Sequence, residues 1–140
     1  MKYFAVIDTN VFVSALLSAR AQKISNPMKV IIHMFSGDVK PVYNGDILEE
    51  YKDVLCRQKF HFDPEMVEKV IREIQRIGIN IQGIETEEYF PDPDDAVFFE
   101  VAIAHKEKED NTYLVTGNIK HFPVHPIVVT PAEFIRLLEN

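Results

Sequence analysis

Three acids in this chain stand where a carboxylate can be more than a solubilising charge. Asp8 directly follows the apolar run Tyr3-Phe4-Ala5-Val6-Ile7, Glu50 borders an apolar helical stripe, and Asp95 heads the apolar run Val97 to Ile103. A polar triplet, Asp8-Thr9-Asn10, closes the first run, and a second, Thr116-Gly117-Asn118, closes the run beginning at Thr112. Carboxylate and amide oxygens without cysteine or histidine suit hard cations such as Mg²⁺ or Mn²⁺. Each acid also has a plainer use. Asp8 or Asn10 can cap the helix that follows, acids in the first turn beyond Asp92 suit the free N–H groups there, and Glu50 can extend into solvent. The five histidines, His33, His61, His105, His121 and His125, form no helical i, i+4 pair, since His121 and His125 fall in a stretch read as loop, so a zinc helix is not indicated. No glycine-rich phosphate loop occurs.

The elements that must position these residues follow from periodicity. Tyr3 to Ile7 reads as a buried strand, Asn10 to Ser18 as a helix, and Ser18 to Asn26 as a loop. A second helix opens at Pro27 and ends at Gly37, with Ser25 or Asn26 as its cap. Val39 to Tyr43 is a short strand, and Asn44 caps a helix from Ile47 to about Arg57. In that helix Ile47, Leu48, Tyr51, Val54 and Leu55 share one face, which Glu50 borders and Glu49 opposes. Asp63-Pro64 starts a further helix to Gly78, and Ile79 to Ile84 alternates like an edge strand with one wet face. Asp92 to His105 forms a buried helix whose acidic end is drawn in among packed elements, where an unpaired carboxylate is costly. Phase does not distinguish Asp94 from Asp95. Thr112 to Thr116 is another buried strand, Ile119 to Pro126 a loop, Ile127 to Val129 a short strand, and Pro131 to Leu138 a helix capped by Thr130. Alternating strands and helices without repeats or a linker mean a single α/β domain, residues 1–140, with a mostly parallel central sheet flanked by helices.

Composition narrows the function classes. At 140 residues and 46% hydrophobic content the chain can bury a full core. Its net charge of -7 argues against nucleic-acid binding mainly through a basic surface, yet permits a phosphate substrate held through cations. No apolar run reaches the length of a membrane span, and no secretory signal is evident, so a cytoplasmic protein is expected. Cys56, the single cysteine, falls in a helical pattern and is expected to pack rather than react.

Together, Ala5-Val6-Ile7-Asp8-Thr9-Asn10-Val11, Ile47-Leu48-Glu49-Glu50-Tyr51, Asp94-Asp95-Ala96 and Leu114-Val115-Thr116-Gly117-Asn118 with His121-Phe122 resemble, in order, the motifs of PIN-domain ribonucleases. The likeness is greatest to the small single-domain VapC-like toxins of toxin–antitoxin pairs. It implies a three-layer fold and metal-dependent hydrolysis of RNA phosphodiesters, with one or two Mg²⁺ or Mn²⁺ ions and products bearing 5′-phosphate and 3′-hydroxyl ends. Asp8, Glu50 and Asp95 match the family's metal-binding acids. Thr9, Asn10 and Thr116 match supporting positions, and Asp94 is a further supporting candidate. Asn118 stands where many members carry a fourth aspartate, which weakens any second metal. A homodimer and a small antitoxin protein are further family expectations. Lys23, Arg57, Lys59 and Lys120 are candidate phosphate contacts. Two other functions compete: a catalytically weakened PIN-like module that binds RNA or protein, and, more distantly, a phosphoryl-transfer enzyme using Asp8 as nucleophile. The latter would need an acid where Asn10 stands.

Overall fold

The computed structural model describes residues 2–140, and its centre is β1 (Tyr3–Ile7). β1 lies between β2 (Val39–Tyr43) and β4 (Thr112–Val115), and the outer strands are β3 (Ile79–Asn80) beyond β2 and β5 (Val128–Val129) beyond β4. Every pairing in this five-stranded sheet is parallel, where a mostly parallel one was expected. Phe4 to Ile7 are buried, as a strand covered on both faces requires.

Among the described residues, six α-helices connect and cover the strands: α1 (Thr9–Arg20), α2 (Asn26–Ser36), α3 (Gly45–Leu55), α4 (Pro64–Ile77), α5 (Ala96–Lys106) and α6 (Pro131–Glu139). Local sequence explains their ends. Ser25 accepts from the Met28 amide, Asn44 from the Ile47 amide, and Thr130 forms a reciprocal capping box with Glu133. Gly37 ends α2 at φ 94°, a left-handed conformation that costs glycine nothing.

Under the sheet's carboxyl edge, three helices are joined by aromatic packing. The ring of Phe12 on α1 meets Tyr51 on α3 at 4.8 Å, and Tyr51 meets Phe98 on α5 at 6.4 Å. Such pairs add about 0.5–1.5 kcal/mol each beyond the area they bury. The Tyr51 hydroxyl also donates to the carbonyl of Ile7, the residue immediately before Asp8. The same packing therefore fixes the segments that carry Asp8, Glu50 and Asp95.

Several local expectations need correction. The strand expected over residues 79–84 is confined to Ile79–Asn80; beyond it the chain runs as irregular structure along α5, where the Ile84 amide donates to the Glu100 carbonyl. The helix expected from Asp92 begins as a 3-10 turn, Pro93–Asp95, because Asp92 accepts from the Asp94 amide and tightens the entry. Part of the loop expected over 119–126 is another 3-10 turn, Ile119–His121. Cys56 is exposed at the C-cap of α3, not packed: it falls one residue past Leu55, where the buried stripe ends.

Candidate active site

β1 is the point at which the strand order reverses, since the chain builds outward through β2 on one side and returns through β4 on the other. Loops leaving adjacent strands diverge at such a point and open a crevice at their carboxyl ends. Ile7 is paired with Val115, so Asp8 and Thr116 emerge side by side. The Asp8 amide extends the ladder by donating to the Val115 carbonyl at 2.9 Å.

Asp8 occupies the N-cap position of α1 but makes no side-chain capping bond. Its Oδ2 instead accepts from the Thr116 hydroxyl at 2.7 Å and from the Asn10 amide group at 3.1 Å. The network continues outward. Thr116 Oγ1 accepts from the Asn118 amide at 3.0 Å, and Asn10 Oδ1 accepts from the Gly117 amide at 3.1 Å. Asn10 and Thr116 thus bind the two polar triplets to each other around one carboxylate. Burial pushes the Asp8 carboxyl up from its ordinary pKa, against the lowering effect of the Thr116 hydroxyl.

Glu50 projects from the middle of α3, half-buried where Glu49 is exposed, and Oε2 accepts from the Thr9 hydroxyl. Burial raises its pKa, the Thr9 bond opposes this, and the negative charges of Asp8, Asp94 and Asp92 raise it further. Asp95 is the N-cap of α5 but, like Asp8, makes no side-chain capping bond. Burial first, then the charges of Asp8 and Asp92, push its carboxyl up to about 6. Capping therefore accounts for Asp92 but not for Asp8 or Asp95.

Beside Asp95 stands His121, which the sequence motifs did not single out as a site residue. Its Nδ1 lies 3.5 Å from Asp95 Oδ2, and its Nε2 lies 3.0 Å from Asn118 Nδ2. With the asparagine amide as donor, Nε2 is the acceptor and the ring proton of a neutral imidazole sits on Nδ1, facing the carboxylate. The signal was present in the spacing. Asn118 and His121 are three apart across a 3-10 turn, where such residues eclipse. Tyr51, buried below the centre, was read only as part of an apolar stripe; its bond to the Ile7 carbonyl makes it a support of the Asp8 backbone.

The fold gathers Asp8, Thr9, Asn10, Glu50, Asp95, Thr116 and Asn118 around the crevice. Asp94 is exposed and lines a neighbouring acidic groove of about 490 Å³ with Asp46, Glu49, Glu50, Asp53 and Glu100. Lys120 is exposed beside His121, whereas Lys23, Arg57 and Lys59 are exposed on other elements with no carboxylate within 4.0 Å among the described residues.

Hard oxygen donors whose charged forms are disfavoured by burial and, for Glu50 and Asp95, also by neighbouring acids are the chemistry a divalent cation relieves. Among the described residues, no group of three or more histidine, cysteine or acidic side chains is placed so that it could hold a metal ion. The fit lies in the type of donor and in their shared electrostatics. Asp8, Glu50 and Asp95 would be the ligands.

The PIN domain model matches residues 5–120, more than four-fifths of the chain. The chain belongs to the PIN-domain family, whose fold is of the nuclease type. No curated protein and no solved structure matches it.

Proposed function

We propose that this protein is a metal-dependent endoribonuclease that hydrolyses RNA phosphodiester bonds at the crevice between β1 and β4. The single observation that carries the reading is that Asp8 and Asp95 stand at helix starts without any capping bond, Asp8 being held instead by Thr116 and Asn10 at the crevice. A bound Mg²⁺ or Mn²⁺, as one or two ions, supplies Lewis acidity and neutralises charge developing on phosphorus oxygens.

The chain's own residues orient the site. Thr116 and Asn10 hold Asp8 Oδ2 and so fix the plane of its carboxylate, and Thr9 fixes Glu50. His121 steadies Asp95 and brings Asn118 to the edge of the crevice. Lys120, next in the same turn, is available to a substrate phosphate. No protein nucleophile is required.

In the cell we assign it as the toxin of a toxin–antitoxin pair, cytoplasmic, homodimeric and restrained by a small antitoxin. Support for a protein partner comes from Ile24, Ile32 and Phe35, exposed at and along α2. No helix of the described residues is long and apolar enough to cross a membrane.

A second reading, a PIN-like binding module without catalysis, is favoured by Asn118, which gives its side chain to His121 and adds no charge to the crevice. A titration of Mg²⁺ and Mn²⁺ against a mixed RNA pool, comparing wild type with Asp8→Asn, separates the two. Metal-dependent fragments that disappear in the variant are expected. Equal cleavage by both proteins, or none by either, would overturn the nuclease reading, and sequencing the fragment ends would define the specificity.

A further inference from the structure

The acidic centre poses a problem for a polyanionic substrate, because the groove beside Glu50 is lined by Asp46, Glu49, Asp53, Asp94 and Glu100. A phosphate chain leaving the crevice in that direction is repelled. The opposite charge is concentrated where the end of α1 meets the turn after α3. Arg20, the last residue of α1, lies with its guanidinium 4.8 Å from the centroid of the Phe62 ring and donates to the Phe60 carbonyl. Phe60 and Phe62 stack at 5.6 Å with their planes 16° apart, and the Lys59 ammonium lies 5.1 Å over the Phe60 ring. Arg57 opens this turn, and Lys23 follows Arg20 by three residues.

All four cations are exposed, and among the described residues none has a carboxylate within 4.0 Å, although Asp53 and Asp63 are near in sequence. Elsewhere Lys52 and Arg76 do have acidic partners. In a chain of net charge -7, four unneutralised cations, two of them set over a stacked aromatic pair, form a local field of the opposite sign.

We propose that Arg20, Lys23, Arg57 and Lys59 form an anchoring site for the phosphate backbone of single-stranded RNA, separate from the acidic centre, with Arg20 and Lys59 positioned by Phe62 and Phe60. This rests on the ribonuclease reading for its choice of ligand. α1 carries Asp8 at its head and Arg20 at its tail, and its 12 residues span about 18 Å at 1.5 Å each. That distance is about five stacked nucleotides at 3.4 Å per residue of strand. The site therefore acts on longer substrates and not on very short ones.

The test uses the full chain in chelator, so that binding is read without cleavage. A fluorescein-labelled single-stranded oligoribonucleotide is titrated by anisotropy over a range of salt concentrations. The triple variant Lys23→Gln/Arg57→Gln/Lys59→Gln is compared with a charge-matched control, Lys69→Gln/Lys106→Gln/Lys108→Gln. Arg20 is left intact because it also holds the Phe60 carbonyl. The triple variant should lower the slope of log affinity against log salt by about 2, at about 0.7 per phosphate contact. It should also lose at least about tenfold in affinity at low salt, with an unchanged melting temperature, while the control changes neither slope nor affinity. Equal slopes in wild type and triple variant, or an equal loss in the control, would overturn the anchor. So would binding of polyglutamate but not RNA, which would make the patch a site for acidic polypeptide. Metal-dependent cleavage is measured separately, so loss of the nuclease reading leaves this result interpretable.

Discussion

The Thr116 hydroxyl donates to Asp8 Oδ2 across a sequence separation of 108 residues, at 2.7 Å. The bond exists because β1 and β4 are adjacent and in register, and it ties the two halves of the crevice at their most buried point. Thr116→Val keeps the shape but removes this donor and leaves the Asn118 amide without its acceptor. A loss of about 2 kcal/mol is expected in urea unfolding, with Thr116→Ser restoring most of it. Stability equal to wild type in the valine variant would show that the bond does not hold the site together.

Asp95 gives the sharpest pH signature. Its folded pKa, about 6, is raised above the ordinary 3.8, so its contribution to stability is present at pH values below the unfolded pKa and disappears as pH rises through the folded one. In chelator, Asp95→Asn should be more stable than wild type by about 1 kcal/mol at neutral pH, after allowing for solvent screening. The difference should close as the pH falls to about 4. A constant gap across that range would mean that the carboxylate is not held under charge stress.

Divalent metal should reverse this penalty. At a hundredfold excess of Mg²⁺ or Mn²⁺ over Kd, the unfolding free energy of wild type should rise by about 2.7 kcal/mol. Asp8→Asn, retaining the fold, should show little of that rise. Differential scanning calorimetry with and without metal measures both, and an identical shift in wild type and variant would place the ion elsewhere.

Asn118 tests the charge count of the crevice. Asn118→Asp adds a carboxylate beside His121 and near Asp95, and should tighten divalent binding by about tenfold, or about 1.4 kcal/mol. In chelator the same variant should be less stable, through repulsion with Asp95. Titration calorimetry that finds unchanged affinity would remove position 118 from the metal's surroundings.

Tyr51 supports the site from below. Tyr51→Phe keeps the ring contacts with Phe12 and Phe98 but leaves the Ile7 carbonyl without its hydroxyl donor. A loss of about 1 kcal/mol in unfolding free energy is expected, together with reduced RNA cleavage as the Asp8 backbone loosens. Cleavage at the wild-type rate would confine Tyr51 to packing.

Sequence by itself determined the order of strands and helices, their caps, and the three acids worth attention, because those depend on near neighbours. Ser25, Asn44 and Thr130 cap their helices through bonds to amides three residues on, so their roles are readable from local chain. The phase of α3 likewise separates Glu50 from Glu49 without knowledge of the rest of the fold. Tertiary structure alone decided what long-range contacts create. It separated Asp95 from the exposed Asp94 by turning Asp95 toward His121, and it showed that Asp8 bonds to Thr116 and not to its own helix. It also brought Arg20 against Phe60 and Phe62, forty residues further along the chain. Burial and the charges of distant groups raise the acids' pKa values, and both follow from strand order and helix packing, which no short stretch of sequence contains.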